Sequence, residues 1–368
     1  MRILHINRNY LGTTLHQTMI NHLDSIGVVN QVFVPVCNKD VSVITPNENV
    51  LVSNCFNNVD RYIYDLKQYK IIRAIEKKID VASFDVVHAY TLFTDGNVAM
   101  KLAEKYKKPF VVAVRNTDVN DFFAKLFYLR GRGIHVMQKA QRIFFLSEAY
   151  RKQVFDNYVP KKLFEELFAK TIIVPNGIDD FWFVNSPLEK KRFSNPIKLI
   201  YAGKIDRNKN IPTIQKAMNI LQNQGVDSTL TVIGKIVDQG EFDKIKNDSR
   251  ITYMSAMPKE QLIEQYRNHD IFVMPSFTES FGLVYAEAIS QGLPVVYSKG
   301  QGFDGQFEEG LVGYHCDAKS ADSLANSIKK VMESFYNGKK LNDVDLSKYR
   351  WNVLTERYRD VYLDVIGK

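Results

Sequence analysis

The sequence predicts an α/β protein of two doubly wound, parallel-sheet domains facing one another across a cleft. Three observations carry that expectation. The chain has 368 residues, too long for one typical domain and suited to two of about 180. Short apolar runs alternate with amphipathic stretches, the pattern of strand–helix–strand units with helices on both faces of a parallel sheet. That alternation occurs twice, on either side of a polar stretch at 181–195, which carries Pro187 and the basic run Lys190-Lys-Arg192 and reads as a linker.

Taken in order, the first domain (1–180) has expected strands at 2–7, 29–36, 86–88, 110–114 and 142–146, closed by 172–175. Helices are expected between them at 15–26, 64–78, 96–107 and 161–169. The second domain (196–345) has expected strands at 197–202, 228–233, 251–254, 271–274, 295–297 and 313–315. Its helices fall at 211–224, 241–246, 259–267, 283–291 and 320–336. A last amphipathic helix, 351–366, sits in the segment 346–368. Ligands of such domains bind at the carboxyl ends of the strands.

Composition narrows the function classes. At 45% hydrophobic and 24% charged residues the chain is an ordinary globular protein. Cys37, Cys55 and Cys316 show no ligand spacing, so a reducing, cytoplasmic compartment is expected. The seven histidines make no HxxxH or HExxH pair, and no metal site is expected. Residues 2–7 read as a first strand rather than a signal peptide, and no apolar run is long enough to span a membrane. Of the net charge of +8, roughly +6 lies in residues 1–180. A basic face there could meet nucleic acid or anionic lipid, but no zinc-finger, helix-turn-helix or RNP pattern supports nucleic acid. Lys125–Arg132, preceded by Phe122 and Phe123, mixes aromatics with cations in a way that suits peripheral contact with an anionic membrane surface. A half-buried helix with a solvated basic edge reads equally well.

The most informative stretch is PSFTESFGLVYAEAISQGLP at 275–294. A short apolar strand ends at Pro275, a loop carries Glu279, and a helix starting after Gly282 carries Glu287. Backbone N–H groups of Phe281, Gly282 and Leu283 would point out of the helix N-terminus, where the macrodipole favours an anion such as a diphosphate. Gly282 lets the backbone approach that ligand closely. Two carboxylates flanking an anion site suit the hydroxyl groups at either end of a nucleotide-diphosphate-sugar. A second loop, AGKIDRNKN at 202–210, places Gly203 and the cations Lys204, Arg207 and Lys209 after the first strand of the same domain, a place where phosphates are held. The N-terminal turn Asn7–Gly12 is its counterpart and lacks GxGxxG, which argues against a dinucleotide cofactor. His88, ending a strand in DVVHAY, reads as a core residue.

On these residues the chain resembles family 4 retaining glycosyltransferases of the GT-B fold, with two Rossmann-like domains. The most specific mark is E-x7-E, Glu279 to Glu287, set in ESFGLVYAEA. Supporting marks are PNGID at 175–179, AGKIDRNKN, and Tyr349-Arg-Trp351. The resemblance implies that Glu279 binds donor-sugar hydroxyls, Glu287 holds the ribose, and Lys204 and Lys209 neutralise the diphosphate without a divalent metal. It implies that Gly12 admits the donor phosphate and that the last helix crosses back to the first domain. No cofactor is implied, since the nucleotide-sugar is a substrate. The expected function is transfer of a hexose from a UDP-linked donor to a carbohydrate or lipid-linked acceptor, in surface polysaccharide assembly at the inner membrane face. Relatives often carry His in VHGSD where this chain reads Val114-Arg-Asn-Thr-Asp118. Arg115 cannot act as a base at neutral pH. Arg115, Asn116 and Asp118 then serve a different sugar or acceptor, or Arg115 makes a structural ion pair with Asp118 or Asp121. A nucleotide-sugar 2-epimerase of the same architecture and a catalytically silent binding subunit are the alternatives.

Overall fold

Thirteen strands, most of them rich in β-branched and aromatic residues, alternate with thirteen helices in the computed structural model, which describes residues 1–37, 48–187, 193–336, 341 and 344–367. In chain order the first elements are β1 (Arg2–Ile6), α1 (Thr14–Ser25), β2 (Val29–Cys37), β3 (Val50–Phe56), α2 (Tyr64–Lys78), β4 (Val86–Ala89), α3 (Asp95–Tyr106) and β5 (Phe110–Val114). There follow α4 (Arg130–Lys139), β6 (Arg142–Phe145), α5 (Glu148–Asn157), α6 (Phe164–Ala169), β7 (Thr171–Ile173) and α7 (Asp180–Val184). Next come β8 (Ile197–Ala202), α8 (Ile211–Asn223), β9 (Ser228–Ile233), α9 (Gln239–Asp243), β10 (Ile251–Met254) and α10 (Lys259–Asn268). The chain closes with β11 (Ile271–Met274), α11 (Leu283–Ser290), β12 (Val295–Ser298), β13 (Gly313–Cys316), α12 (Ala321–Tyr336) and α13 (Trp351–Val365).

The chain divides into two compact units. The first comprises Met1–Leu146, Tyr150–Asn176 and Trp351–Lys368; the second comprises Ser147–Ala149 and Gly177–Arg350. The basic run Lys190–Arg192 expected in a linker lies outside the described residues. The part of that stretch before it is helical at α7, which Asp179 caps by accepting the Phe181 N–H at 2.9 Å and which buries Trp182.

The first unit holds a seven-stranded parallel sheet in the order β3-β2-β1-β4-β5-β6-β7. Its two faces bury separate side-chain sets, because successive residues of a strand point to opposite faces. Leu4 and Ile6 of β1 face one way with Val87, Val112, Val114 and Phe145, against residues of α2 to α6. Ile3 faces the other way with Val32, Val34, Val86, Val111 and Phe144, against α1 and α13. The last helix belongs here because Trp351, Leu354, Tyr358, Val361 and Tyr362 form one apolar stripe at helical spacing. Each such buried side chain contributes about 1.5–3 kcal/mol relative to exposure.

The second unit holds a six-stranded parallel sheet, β10-β9-β8-β11-β12-β13. Helices α8 and α12 pack on each other as well as on the sheet, burying Ile214, Met218 and Leu221 on one side and Leu324, Ile328 and Val331 on the other. In each unit the strand order reverses at one point, between β1 and β4 and between β8 and β11. The loops that leave the sheet side by side at those points form the crevice of a doubly wound fold.

Some elements were not legible. β3 (VLVSNCF) carries polar Ser53 and Asn54 and reads weakly as a strand, yet it forms the sheet edge paired with β2. α4 (RGRGIHVMQK) contains two glycines, which disfavour helix, and forms because Ile134, Val136 and Met137 are buried. α5 likewise lay outside the expected elements; it buries Tyr150, Val154 and Phe155. The helix expected at 241–246 begins two residues earlier, where Asp238 accepts the Glu241 N–H at 3.2 Å, and ends at Asp243.

Candidate functional site

At the switch point of the second unit, Leu199 and Ile200 of β8 pair with Ile271 and Phe272 of β11, so the loops 203–210 and 275–282 start as neighbours. A Cβ at Gly234 would lie 1.7 Å from the Gly203 carbonyl oxygen, so only glycine lets the first loop pass the end of β9. Asp206 accepts the Lys209 N–H at 3.0 Å and fixes the 3-10 turn Arg207–Lys209. Two asparagines then stitch the loops together. Asn208 Nδ2 donates to the Thr278 carbonyl at 2.8 Å, and its Oδ1 accepts the Thr278 N–H and hydroxyl at 3.0 and 2.8 Å. Asn210, in the left-handed conformation at φ 58°, donates from Nδ2 to the carbonyls of Pro275 at 3.0 Å and Ala318 at 2.6 Å.

The stitched loops bring the expected charges together. Lys209 Nζ lies 2.5 Å from Glu279 Oε2, with only 18% and 12% of the two side chains exposed. The other oxygen, Glu279 Oε1, accepts the Ser280 N–H at 3.0 Å. The Glu279 backbone is held in turn by segment 299–305: its N–H donates to Gln301 Oε1, and its carbonyl accepts the Gly302 N–H, both at 2.9 Å. A Cβ at Gly302 would lie 2.0 Å from the Ser280 carbonyl oxygen. Gly282, at φ +72°, is the N-cap of α11, and a Cβ there would meet the Tyr285 ring at 2.4 Å. Among the described residues no hydrogen bond is made by the backbone N–H groups of Phe281, Gly282 or Leu283, which leaves donors at the positive end of the helix dipole. Lys204 is exposed and forms no ion pair among the described residues.

Glu287 lies in the second turn of α11 and is half-buried. Its carboxyl group is pushed up to about 7, chiefly by burial and then by the Asp179 charge, with Lys259 acting against both. Lys259 itself is paired with Asp179 at 2.5 Å. No hydrogen bond reaches the Glu287 carboxyl group among the described residues. The second unit therefore offers an anion site at a helix start, flanked by the cations Lys204 and Lys209. A carboxylate lies to either side, and each can accept from hydroxyl groups.

The first unit is built otherwise. Gly12 is exposed, with nothing within 4 Å of a would-be Cβ, so the chain itself imposes no glycine there. The ion pair of Arg115 with Asp118 or Asp121, the alternative to a ligand-binding role, does not form. Asp118, 1% exposed, spends its oxygens on the backbone N–H groups of Leu92, Phe93 and Arg115 at 3.0, 3.2 and 2.9 Å, tying the turn after β4 to the end of β5. Burial pushes its carboxyl group up to about 6 against those three bonds. Asp121 pairs instead with Lys125 at 2.5 Å. Asn116 accepts from Asn120 Nδ2 at 2.6 Å. The Arg115 guanidinium donates from Nη1 to Asn176 Oδ1 at 3.1 Å, and its Nε is buried without a partner among the described residues. Its charge bears on His16, His88 and Tyr90, which are buried in one cluster with His5. Burial first, and for His16 the Arg115 charge next, hold His5 down to about 4 and His16 to about 3, with His88 well below the ordinary histidine range. His88 is in the core as expected, with Nδ1 sharing a hydrogen bond with the Tyr362 hydroxyl at 2.6 Å, while its Nε2 has no partner among the described residues.

Sequence reasoning missed Asn208, Asn210, Gln301 and Gly302, which hold the loops of the second unit. The two asparagines sit in a motif already singled out and their turn chemistry was available to read. Gln301 acts on Glu279 across 22 residues and gave no local signal.

Comparison with known proteins fits this geometry. Residues 186–344 match the family described as Glycosyl transferases group 1. The chain is 23% identical over 261 residues to glycogen synthase of Mycobacterium tuberculosis, covering 68% of this chain and 60% of that protein. It thus spans less than two thirds of the length of the first curated relatives it matches. Among solved structures it resembles sucrose-phosphate synthase from Thermosynechococcus elongatus, with a TM-score of 0.75 at 15% identity over 100% of this chain and 99% of the other. It also resembles Anabaena HepE in complex with UDP and glucose, with a TM-score of 0.70 at 15% identity over 99% and 100%. These neighbours show the fold. The chain has the GT-B architecture of two Rossmann-like parallel-sheet units and resembles glycosyltransferases.

Proposed function

We propose that this GT-B chain, with its Glycosyl transferases group 1 region, is a retaining glycosyltransferase that moves a hexose from a UDP-linked donor to a carbohydrate or lipid-linked acceptor. The observation that carries the reading is the second unit's switch point. One helix start with free N–H groups, the exposed Lys204, the Lys209–Glu279 pair and the half-buried Glu287 lie on two adjoining βα loops and the helix that follows. Anabaena HepE, similar over almost its whole length, is a structure in complex with UDP and glucose, which supports a nucleotide-sugar as donor.

In this reading the diphosphate sits against the N–H groups of Phe281, Gly282 and Leu283, with Gly203 and Gly282 allowing close backbone approach. Glu287 accepts from the ribose hydroxyls and Glu279 from the sugar. Lys204 and Lys209 stabilise the charge that develops on the departing phosphate, a preorganised electrostatic contribution that needs no divalent metal. The acceptor oxygen attacks on the face the phosphate leaves. The bond from the anomeric carbon to the phosphate oxygen breaks as the bond to the acceptor oxygen forms, and the departing phosphate takes the hydroxyl proton. Arg115 and Asn116 belong to the acceptor side, with Asp118 holding their loop in place. Surface-polysaccharide assembly on the cytoplasmic face of a membrane, reached by peripheral contact, is the setting we infer. Among the described residues no helix is long and apolar enough to cross a membrane.

Turnover of a panel of nucleotide-sugars tests this. One donor should release free nucleoside diphosphate, at least by slow hydrolysis. Conversion of the donor sugar without release would identify an epimerase, and inertness toward every donor would leave a binding subunit.

A further inference from the structure

We propose that the first unit carries a surface that seats it on an anionic phospholipid bilayer. It is built from exposed aromatic side chains just before α2 and α4 and from the cations along α2. The proposal rests on the reading above only in its call for a membrane setting; its observations come from the first unit alone.

The aromatic pairs around 122–128 behave oppositely. Phe123 is fully buried and packs edge-on to Phe93 at 5.0 Å, whereas Phe127 and Tyr128 are 72% and 66% exposed. Just before α2, Tyr62 is 90% and Ile63 50% exposed. The two places adjoin. Arg132 in the first turn of α4 pairs through both guanidinium nitrogens with Asp65 in the first turn of α2, Nη2 lying 2.8 Å from Oδ2. The Arg132 guanidinium also stands 5.2 Å from the Tyr64 ring centroid. Grouped exposed aromatics contribute nothing to this unit's own core and mark an interaction surface.

The second observation is a groove of about 620 Å³ along α2, lined by Tyr69, Lys70, Arg73, Lys77 and Lys78, with Asp60 as its carboxylate. Asp60 is spent on Lys70 at 2.7 Å. Lys78 donates to the Ser53 hydroxyl at 3.0 Å, and Lys77 is exposed without an ion pair among the described residues. Residues 58–78 and 121–132 together carry nine Lys and Arg against four Asp and Glu. That sign decides the occupant. A second copy docked on the same face would set cation against cation. An anionic bilayer takes tyrosine and phenylalanine at the headgroup level and attracts each nearby Lys or Arg by an increment of about fivefold in partitioning.

Co-sedimentation of the full chain with vesicles of phosphatidylcholine alone, or of phosphatidylcholine mixed with phosphatidylglycerol, reads this out. The chain should pellet with the anionic vesicles, less so as salt is added, and partition at least about 25-fold less onto the neutral ones, about fivefold for each of Arg73 and Lys77. The triple variant Tyr62→Ser, Phe127→Ser, Tyr128→Ser and the double variant Arg73→Glu, Lys77→Glu should each lose about fivefold or more. Thermal melting and solution hydrolysis of the donor should stay unchanged in both. Equal partitioning onto both vesicle types, or full binding by both variants, overturns the proposal. So does sedimentation equilibrium that finds a dimer dissolved by Phe127→Ser, which assigns the face to a second copy. A chain inert toward every donor that still binds anionic vesicles would refute the transferase reading and leave this surface standing.

Discussion

The two switch points of this molecule share a topology and differ in almost everything else. In the second unit the crevice between β8 and β11 is lined by charge: an exposed lysine, a Lys–Glu pair, a half-buried carboxyl group and unspent backbone N–H groups. Beside the corresponding point of the first unit, between β1 and β4, lie neutral histidines and tyrosines packed ring to ring. His88 stacks on Tyr90 at 4.4 Å, and His16 meets the same ring edge-on at 4.8 Å. The difference teaches that a doubly wound fold supplies the place of a site and not its chemistry. Charge survives in the second crevice because Lys209 and Glu279 answer each other. It is suppressed in the first because burial disfavours the charged form of three imidazoles, and the Arg115 guanidinium opposes it further at His16 and His88.

The sharpest break of that contrast is Glu279→Gln, which should lower kcat by on the order of 10²–10³-fold, the loss expected when a preorganised transition-state contact is removed. The melting temperature should move by only a few degrees, because Asn208, Asn210 and Gln301 still hold the loop. Full activity in this variant would remove the second crevice from the chemistry.

Next in size is acid sensitivity, which should belong to the first unit. His5 and His16, held at about 4 and 3, and His88, held lower than usual, bind protons more readily when unfolded. Their stabilising contribution is present above the ordinary histidine value of about 6.5 and is lost as pH falls toward the folded values. Asp95 and Asp118, raised to about 7 and 6 by burial, act in the opposite sense: their contribution is complete at low pH and is lost as pH rises through those values. Three histidines against two carboxyl groups leave a net of about one proton, on the order of 1.4 kcal/mol per pH unit near pH 5–6. Hydrogen exchange should find β1 and β4 opening faster there, with β8 and β11 little affected. Equal acceleration in both units would contradict the assignment.

The smallest effect concerns Glu287. An ionised carboxyl group accepts stronger hydrogen bonds from a ribose than a protonated one. With its value near 7, UDP binding should tighten a few-fold as pH rises from about 6 to 8. Calorimetric titration of Glu287→Gln should give a shallower profile, leaving only the slope from the terminal phosphate of UDP, which loses its second proton near about pH 6, and an unchanged slope in this variant would place the titrating group elsewhere.

Much of the second unit was legible in the sequence, and less of the first. The expected strands 197–202, 228–233, 251–254 and 271–274 match β8 to β11 residue for residue: β8 and β11 are buried apolar runs, and β9 and β10 are runs of β-branched and aromatic residues bounded by polar ones. Lys209 and Glu279 could be named from their motifs, yet their direct pairing across 70 residues is a product of strand order, which no local pattern encodes. In the first unit β3 and α4 escaped notice because an edge strand tolerates polar residues and a tertiary contact overrides glycine's helix cost. Arg115 was visible as a departure. Only the fold shows that Asp118 serves the backbone and leaves the guanidinium to face the histidines.

Helix α13 gives the first unit an unusual timetable. Trp351, Leu354, Tyr358 and Tyr362 cover a sheet face whose other members lie at Ile3, Val32, Val86 and Val111. On a ribosome the strands of that sheet emerge early, and they wait through the synthesis of the whole second unit before the helix that shields them exists. The unit begun first is completed last, and during that interval its apolar face is the part of the nascent chain most in need of a chaperone.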